Sequence, residues 1–234
     1  MITGHRGAAS LAPENTLVSI EQAAKAGAHW VEIDTQLSAD NVPVVFHDKT
    51  VNRCTNGKGK ISELDLATLK SLDAGSWFGE EFSGVTIPTL EEALDKCVEL
   101  NLTLNLELKT YDDKTIHALV EQVIDVVNSR DYPIDKLLFS SFSKDALVLC
   151  QTLAPKVRRG FICEVWNSAS IDSLTSLALY SVHIDHQILN ESTAKQIKES
   201  GLVLKIWTLN EPEKAETYYQ LGVDNIITDM PDKF

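Results

Sequence analysis

Short apolar runs alternate with amphipathic stretches along most of the 234 residues. The apolar, β-branched runs predict strands at 1–4, 30–37, 102–108, 136–140, 159–163, 179–184, 202–207 and 224–228. Between them, apolar positions three and four apart predict helices over 16–26, 89–99, 113–129, 143–153, 192–199 and 211–221. Asn15, Thr89, Ser143, Ser192 and Asn210 stand where a helix start needs a side-chain acceptor. Gly27, Gly201 and Gly222 stand just past helix ends, where a left-handed residue closes the last turn. Eight strands separated by helices predict an α/β protein, a closed parallel (β/α)8 TIM barrel. An open doubly wound sheet is disfavoured, because no G-x-G-x-x-G follows the first strand.

The rhythm breaks once. Residues 41–47 read as an extra strand after the second, and residues 49–88 carry Asn-Gly, Gly-Lys-Gly, a short helix near 64–72 and Trp77-Phe78-Gly79. This is an irregular insertion between the second strand and the helix beginning at Thr89, of the kind that decorates the catalytic face of a barrel. No internal repeat, low-complexity tract or linker interrupts the chain, so residues 1–234 are expected to form one domain.

Charge narrows the function. With 34 acidic and 21 basic residues the net charge is −13, which argues against broad binding to nucleic acid or stable association with an anionic membrane. An anionic small-molecule substrate would need a local reversal of that field, and a bound cation supplies one. Cys54, Cys97, Cys150 and Cys163 lie far apart without a C-x-x-C pair, so reduced core cysteines are expected rather than a zinc cage or disulfides. The longest apolar run, 146–150, is too short to span a bilayer, and no leader-like segment precedes the first motif. The expectation is a cytoplasmic protein; the sequence does not specify its oligomeric state.

Four strand ends carry candidate chemistry. Gly4-His5-Arg6-Gly7 closes the first strand, where barrel active sites collect, and the forked guanidinium of Arg6 suits phosphate or carboxylate. Glu32 and Asp34, two apart in a strand, point to the same face, and two carboxylates there repel unless a cation joins them. Oxygen ligands favour Mg²⁺, Ca²⁺ or Mn²⁺ over zinc. Glu107 on the next parallel strand completes a three-carboxylate set, with Lys109 two residues on to hold an anion. His47, closing the hairpin after the second strand, gives with His5 two imidazoles at one mouth, one to take a proton and one to give it. Glu164, His183, Asp185, His186, Thr208 and Asp229 fall near later strand ends as supporting or structural residues, and Trp207 is either core or a wall against substrate.

These residues, in this order, resemble the glycerophosphodiester phosphodiesterases of the compact bacterial cytoplasmic type. The resemblance rests on His5-Arg6-Gly7, Pro13-Glu14-Asn15-Thr16, Glu32-Ile33-Asp34, His47-Asp48, Glu107-Leu108-Lys109, Asp73 through Trp77, Ile87 through Leu90, Ser140-Ser141-Phe142 and Trp207 through Asn210, and it spans nearly the whole chain. It implies a divalent cation on Glu32, Asp34 and Glu107, acid–base catalysis by His5 and His47, and phosphate binding by Arg6 and Lys109. The implied reaction is hydrolysis of a small glycerophosphodiester to glycerol 3-phosphate and an alcohol, beneath the insertion. It also implies that Pro13-Glu14-Asn15-Thr16 starts the first helix and chiefly supports His5. A phosphoinositide- or lysophospholipid-cleaving relative is the nearest alternative, with Trp77-Phe78 as its apolar lip. An inert binding module has no need of the acid–base pair.

Overall fold

In the computed structural model, which describes residues 1–167 and 170–234, eight parallel strands close into a barrel. They are β1 (Ile2–Gly4), β2 (Trp30–Leu37), β4 (Thr103–Leu108), β5 (Leu137–Ser141), β6 (Arg158–Cys163), β7 (Ser181–Asp185), β8 (Val203–Trp207) and β9 (Asn225–Thr228). β1 pairs with β2 on one side (Thr3 opposite Trp30) and with β9 on the other (Thr3 opposite Ile227), which closes the ring. β3 (Pro43–Val45) lies antiparallel on the outer end of β2, so the expected hairpin is present.

Alternation along the strands builds two environments. Val31, Ile33, Leu104, Leu106, Phe139, Val182, Ile184, Leu204 and Ile206 face outward into apolar layers shared with the helices. Their neighbours Trp30, Glu32, Asp34, Asn105, Glu107, His183 and Lys205 are buried too, on the barrel side. Lys205 Nζ lies 4.0 Å from the centre of the Trp30 ring, a contact across the axis between strands that do not pair. The interior is therefore polar, and its upper layer is where chemistry can be housed.

The main helices are α1 (Leu17–Lys25), α3 (Leu90–Glu99), α4 (Ile116–Ser129), α5 (Lys144–Leu153), α7 (Glu191–Glu199) and α8 (Ala215–Gln220). Thr89 caps α3 in a reciprocal box with Glu92, and Ser143 caps α5, both as expected. Three expected caps differ. Thr16 caps α1, because Asn15 sits in a left-handed turn (φ 58°) and sends its side chain to Asp34. Asn190, not Ser192, caps α7, and Asn210 bonds Asp229 instead of opening a helix. Gly27, Gly201 and Gly222 have φ of +87°, +79° and +91°, as their places after helices predict. The five-residue α6 (Ser170–Leu174) has no counterpart in the sequence reading, since one turn is too short to display a period.

The insertion carries α2 (Leu66–Lys70) and a small apolar core of its own, in which Val51, Cys54, Ile61, Leu69, Ala74 and Ile87 pack on Val44 and Phe46. Asp73 ties its far turn by accepting from the backbones of Gly75, Ser76 and Gly84. All four cysteines are buried free thiols. Among the described residues, no helix is long and apolar enough to cross a membrane.

Candidate active site

The carboxyl ends of the strands open into a cavity of about 280 Å³ that His5, Arg6, Glu32, His47, Glu107, Lys109 and Trp207 all line. Asp34 lies immediately beneath, 1% exposed, between Lys109 and Arg6. Every residue proposed from the sequence for catalysis, phosphate binding or cation ligation therefore meets at one place.

The first strand ends in a tight turn that explains its glycines. Arg6 is left-handed (φ 50°), a conformation costly for a residue with a side chain, and Gly7 follows at φ +88°. A Cβ on Gly4 would lie 2.1 Å from the Gly7 carbonyl oxygen, and one on Gly7 2.2 Å from Ser19 Oγ. This turn aims the Arg6 amide at Glu32 Oε2 (3.0 Å) and swings its guanidinium to Glu14 Oε1 (2.7 Å) and towards Asp34 Oδ2 (3.6 Å).

One oxygen from each of Glu32, Asp34 and Glu107 lies within 4.8 Å of the others. β2 and β4 pair with Asp34 opposite Glu107 and Glu32 opposite Asn105, which sets the three acids on one shelf. Burial and the repulsion of Asp34 and Glu107 push Glu32 well above the usual carboxylate range. Burial and Asp34 likewise raise Glu107 to about 7, against the pull of Lys109. Asp34 is held down: burial disfavours its charge, but Lys109, Arg6, His47 and the Asn15 amide outweigh that. Glu32 Oε1 is buried with no hydrogen-bond partner. Crowded oxygen donors, one of them orphaned, fit a hard divalent cation.

Each imidazole is oriented by a carboxylate. His5 Nδ1 lies 2.6 Å from Asp229 Oδ1, which leaves Nε2 on the Glu32 side, 3.9 Å from Oε2. Asp229 is fixed in turn by the Asn210 amide (2.7 Å). His47 Nδ1 lies 2.8 Å from Asp48 Oδ1, and burial with the nearby Arg6 and Lys109 charges outweighs Asp34 and Asp48 to lower its proton affinity. Arg53, from the insertion, clamps Asp48 and Glu14 together through contacts of 2.7–2.8 Å. Pro13-Glu14-Asn15-Thr16 therefore supports Arg6 and Asp34 rather than His5, contrary to the role implied by resemblance.

The opposite wall is apolar. Trp207 and Phe142 pack edge to face at 5.7 Å, with Ile162 and Ile227 beside them, and the Trp207 indole donates to the His183 carbonyl. Lys109 Nζ reaches Glu107 Oε1 (2.7 Å) and Asp34 Oδ1 (3.5 Å) and lies 5.9 Å from the Tyr111 and Phe142 rings. Of the rim residues, Glu164 and His183 line the cavity and Asp229 holds His5. Asp185, His186 and Thr208 do not line it; Asp185 accepts from the Gln187 amide and His186 meets the Tyr218 hydroxyl. Asn105, Tyr111 and Phe142 line the cavity and Arg53 braces it, without a role expected from the sequence. Asn105 and Tyr111 continue the spacing-two series of Glu107 and Lys109, a usable signal. Arg53 has none.

A barrel mouth that gathers three acids, two oriented imidazoles and two cationic side chains has the make-up of a phosphoric ester hydrolase. The comparisons agree and name the family. The model of the glycerophosphoryl diester phosphodiesterase family matches residues 5–233. A glycerophosphodiester phosphodiesterase of Caldanaerobacter subterraneus subsp. tengcongensis is 32% identical over 99% of this chain and 95% of its own length. One of Bacillus subtilis is 31% identical over 100% of this chain and 85% of its own. The solved structure of an Oleispira antarctica phosphodiesterase in complex with the product sn-glycerol-3-phosphate superposes with a TM-score of 0.96, at 38% identity, over 100% of this chain and 94% of that one. The chain belongs to the glycerophosphoryl diester phosphodiesterase family.

Proposed function

We propose that the chain hydrolyses small glycerophosphodiesters to glycerol 3-phosphate and an alcohol, with a divalent cation and the His5–His47 pair, and that one barrel domain carries the whole activity. The observation that carries this reading is the meeting, in one cavity, of three carboxylates within 4.8 Å and two carboxylate-oriented imidazoles. The product bound to the Oleispira relative supports it. Glu32, Asp34 and Glu107 would hold the cation, Mg²⁺ or Ca²⁺; when bound, it neutralises phosphate charge and orients the reacting oxygens.

The remaining work belongs to the chain's own groups. Arg6 and Lys109 bind the phosphate oxygens, which explains how a protein of charge −13 accepts an anion. Trp207 and Phe142 pack against the carbon skeleton of the substrate. One imidazole removes the proton from the substrate's own 2-hydroxyl, whose oxygen attacks phosphorus, and the other protonates the departing alcohol. Water then opens the cyclic phosphate with the two roles exchanged. Intramolecular attack gains a large effective concentration and accounts for a preference for glycerol esters. A cytoplasmic setting belongs to the same reading, since four buried free thiols suit a reducing compartment. A cavity of about 280 Å³ suits a glycerol headgroup, whereas Trp77, 40% exposed on the insertion, favours an acylated diester.

The test replaces the substrate. A propane-1,3-diol phosphodiester with the same leaving group lacks only the attacking hydroxyl. We expect glycerol 3-phosphate from the parent and a loss of several orders of magnitude, about 10³-fold or more, with the analogue. Cleavage of both at similar rates would exclude the hydroxyl as nucleophile.

A further inference from the structure

We propose that a second groove, beside the catalytic cavity and rimmed by Lys49, Lys60 and Lys114, binds a second anionic group carried on the alcohol side of the diester. Favoured substrates are then glycerophosphodiesters whose leaving alcohol bears a phosphate or a carboxylate. This rests on the hydrolytic reading above and names the substrate class within it.

The groove has a volume of about 380 Å³ and shares Lys109 and Tyr111 with the catalytic cavity, so those two side chains are a common wall. The Tyr111 hydroxyl donates to the His47 carbonyl, which fixes that wall between the β4 end and the hairpin. Four lysines line the groove against two acids, Glu63 and Asp112, in a chain whose acids outnumber its bases by 34 to 21. Lys60 pairs with Glu63 and Lys109 with Glu107 and Asp34, whereas Lys49 and Lys114 have no ion pair among the described residues. A cluster of cations against the sign of the whole molecule, open on one side and joined on the other to the phosphate-binding lysine, is the electrostatic footprint of an anion site. The glycerol half of the substrate offers only hydroxyls, so a second anion must come from the alcohol. Extended over Tyr111, that alcohol places its charge among Lys49, Lys60 and Lys114.

Three diesters test this: sn-glycero-3-phosphopropanol, the same molecule with a terminal phosphate on the propyl chain, and the same with a terminal carboxylate. For the wild type we expect KM for the phosphate-tailed diester about tenfold below that of the neutral one, from a few solvent-screened charge contacts. The double variant Lys49→Ala/Lys114→Ala should raise that KM about tenfold with kcat kept, and leave the neutral diester within about twofold. Added salt should erase the wild-type preference. A gain shared by both charged tails marks a general anion groove, and a gain with phosphate alone a phosphate site. Equal KM for the neutral and charged diesters, or a double variant that impairs the neutral one as much, would overturn the proposal. If the wild type cleaves none of the three, the hydrolytic reading fails instead. Calorimetric affinities of the phosphate-tailed diester for wild type and variant then decide, equal values counting against the groove.

Discussion

Glu32→Gln, Asp34→Asn and Glu107→Gln should each lower turnover by about 10³-fold or more, because each removes a charged oxygen from the only cluster of three carboxylates that converges here among the described residues. Far-UV circular dichroism should stay unchanged. Stability separates this account from simple damage to the fold. The folded protein holds Glu107 at about 7, above its ordinary 4.5, so its stabilising contribution is complete below about pH 4.5 and lost as pH rises through about 7. Glu107→Gln imitates the protonated form at every pH. Without metal, it should be more stable than the wild type above pH 7 and match it near pH 4. Thermal melts across that range read the crossing. Near-wild-type turnover in any two of the three variants at limiting metal would exclude the cation site.

Substitution of the two histidines should split by leaving group. The imidazole that protonates the departing alcohol matters most when that alcohol is a poor leaving group, so its alanine variant should slow a choline diester by about 10²–10⁴-fold. It should slow a nitrophenyl diester far less, since nitrophenolate departs without a proton. The other alanine variant should slow both substrates alike. The measurement is kcat/KM for both diesters with His5→Ala and His47→Ala; equal losses on both substrates in both variants would dismiss the acid–base pair. Asp229→Asn and Asp48→Asn should act in the same sense but less, because those carboxylates act on the reaction through the rings they orient.

The barrel was legible because its signal is local. Strands such as Glu32-Ile33-Asp34 and Glu107-Leu108-Lys109 alternate charged and apolar residues, and that alternation alone states which side chains share a face. Two strands of this kind in sequence-adjacent parallel positions bring their acids onto one shelf, as the pairing of Asp34 with Glu107 shows. What the sequence hid depends on closure. Asp229 reaches His5 only because β9, the last strand, pairs with β1, the first. Arg53 joins Glu14 to Asp48 across 39 and 5 residues, a link that no spacing announces. Asn15 looks like a helix cap and is instead a second support for Asp34, because a left-handed turn moves the capping role to Thr16. Within the insertion the short helix near 64–72 was legible, as α2 shows, but the small core around it was not, because that core forms against β3 and lacks a period of its own.

Release of glycerol 3-phosphate from glycerophosphocholine, measured with and without a chelator, tests the central claim most directly. The account predicts steady release by the wild type, loss of nearly all of it on chelation, and recovery when Mg²⁺ or Ca²⁺ is restored in excess. Undiminished release after exhaustive chelation, or no release with either cation present, would contradict it.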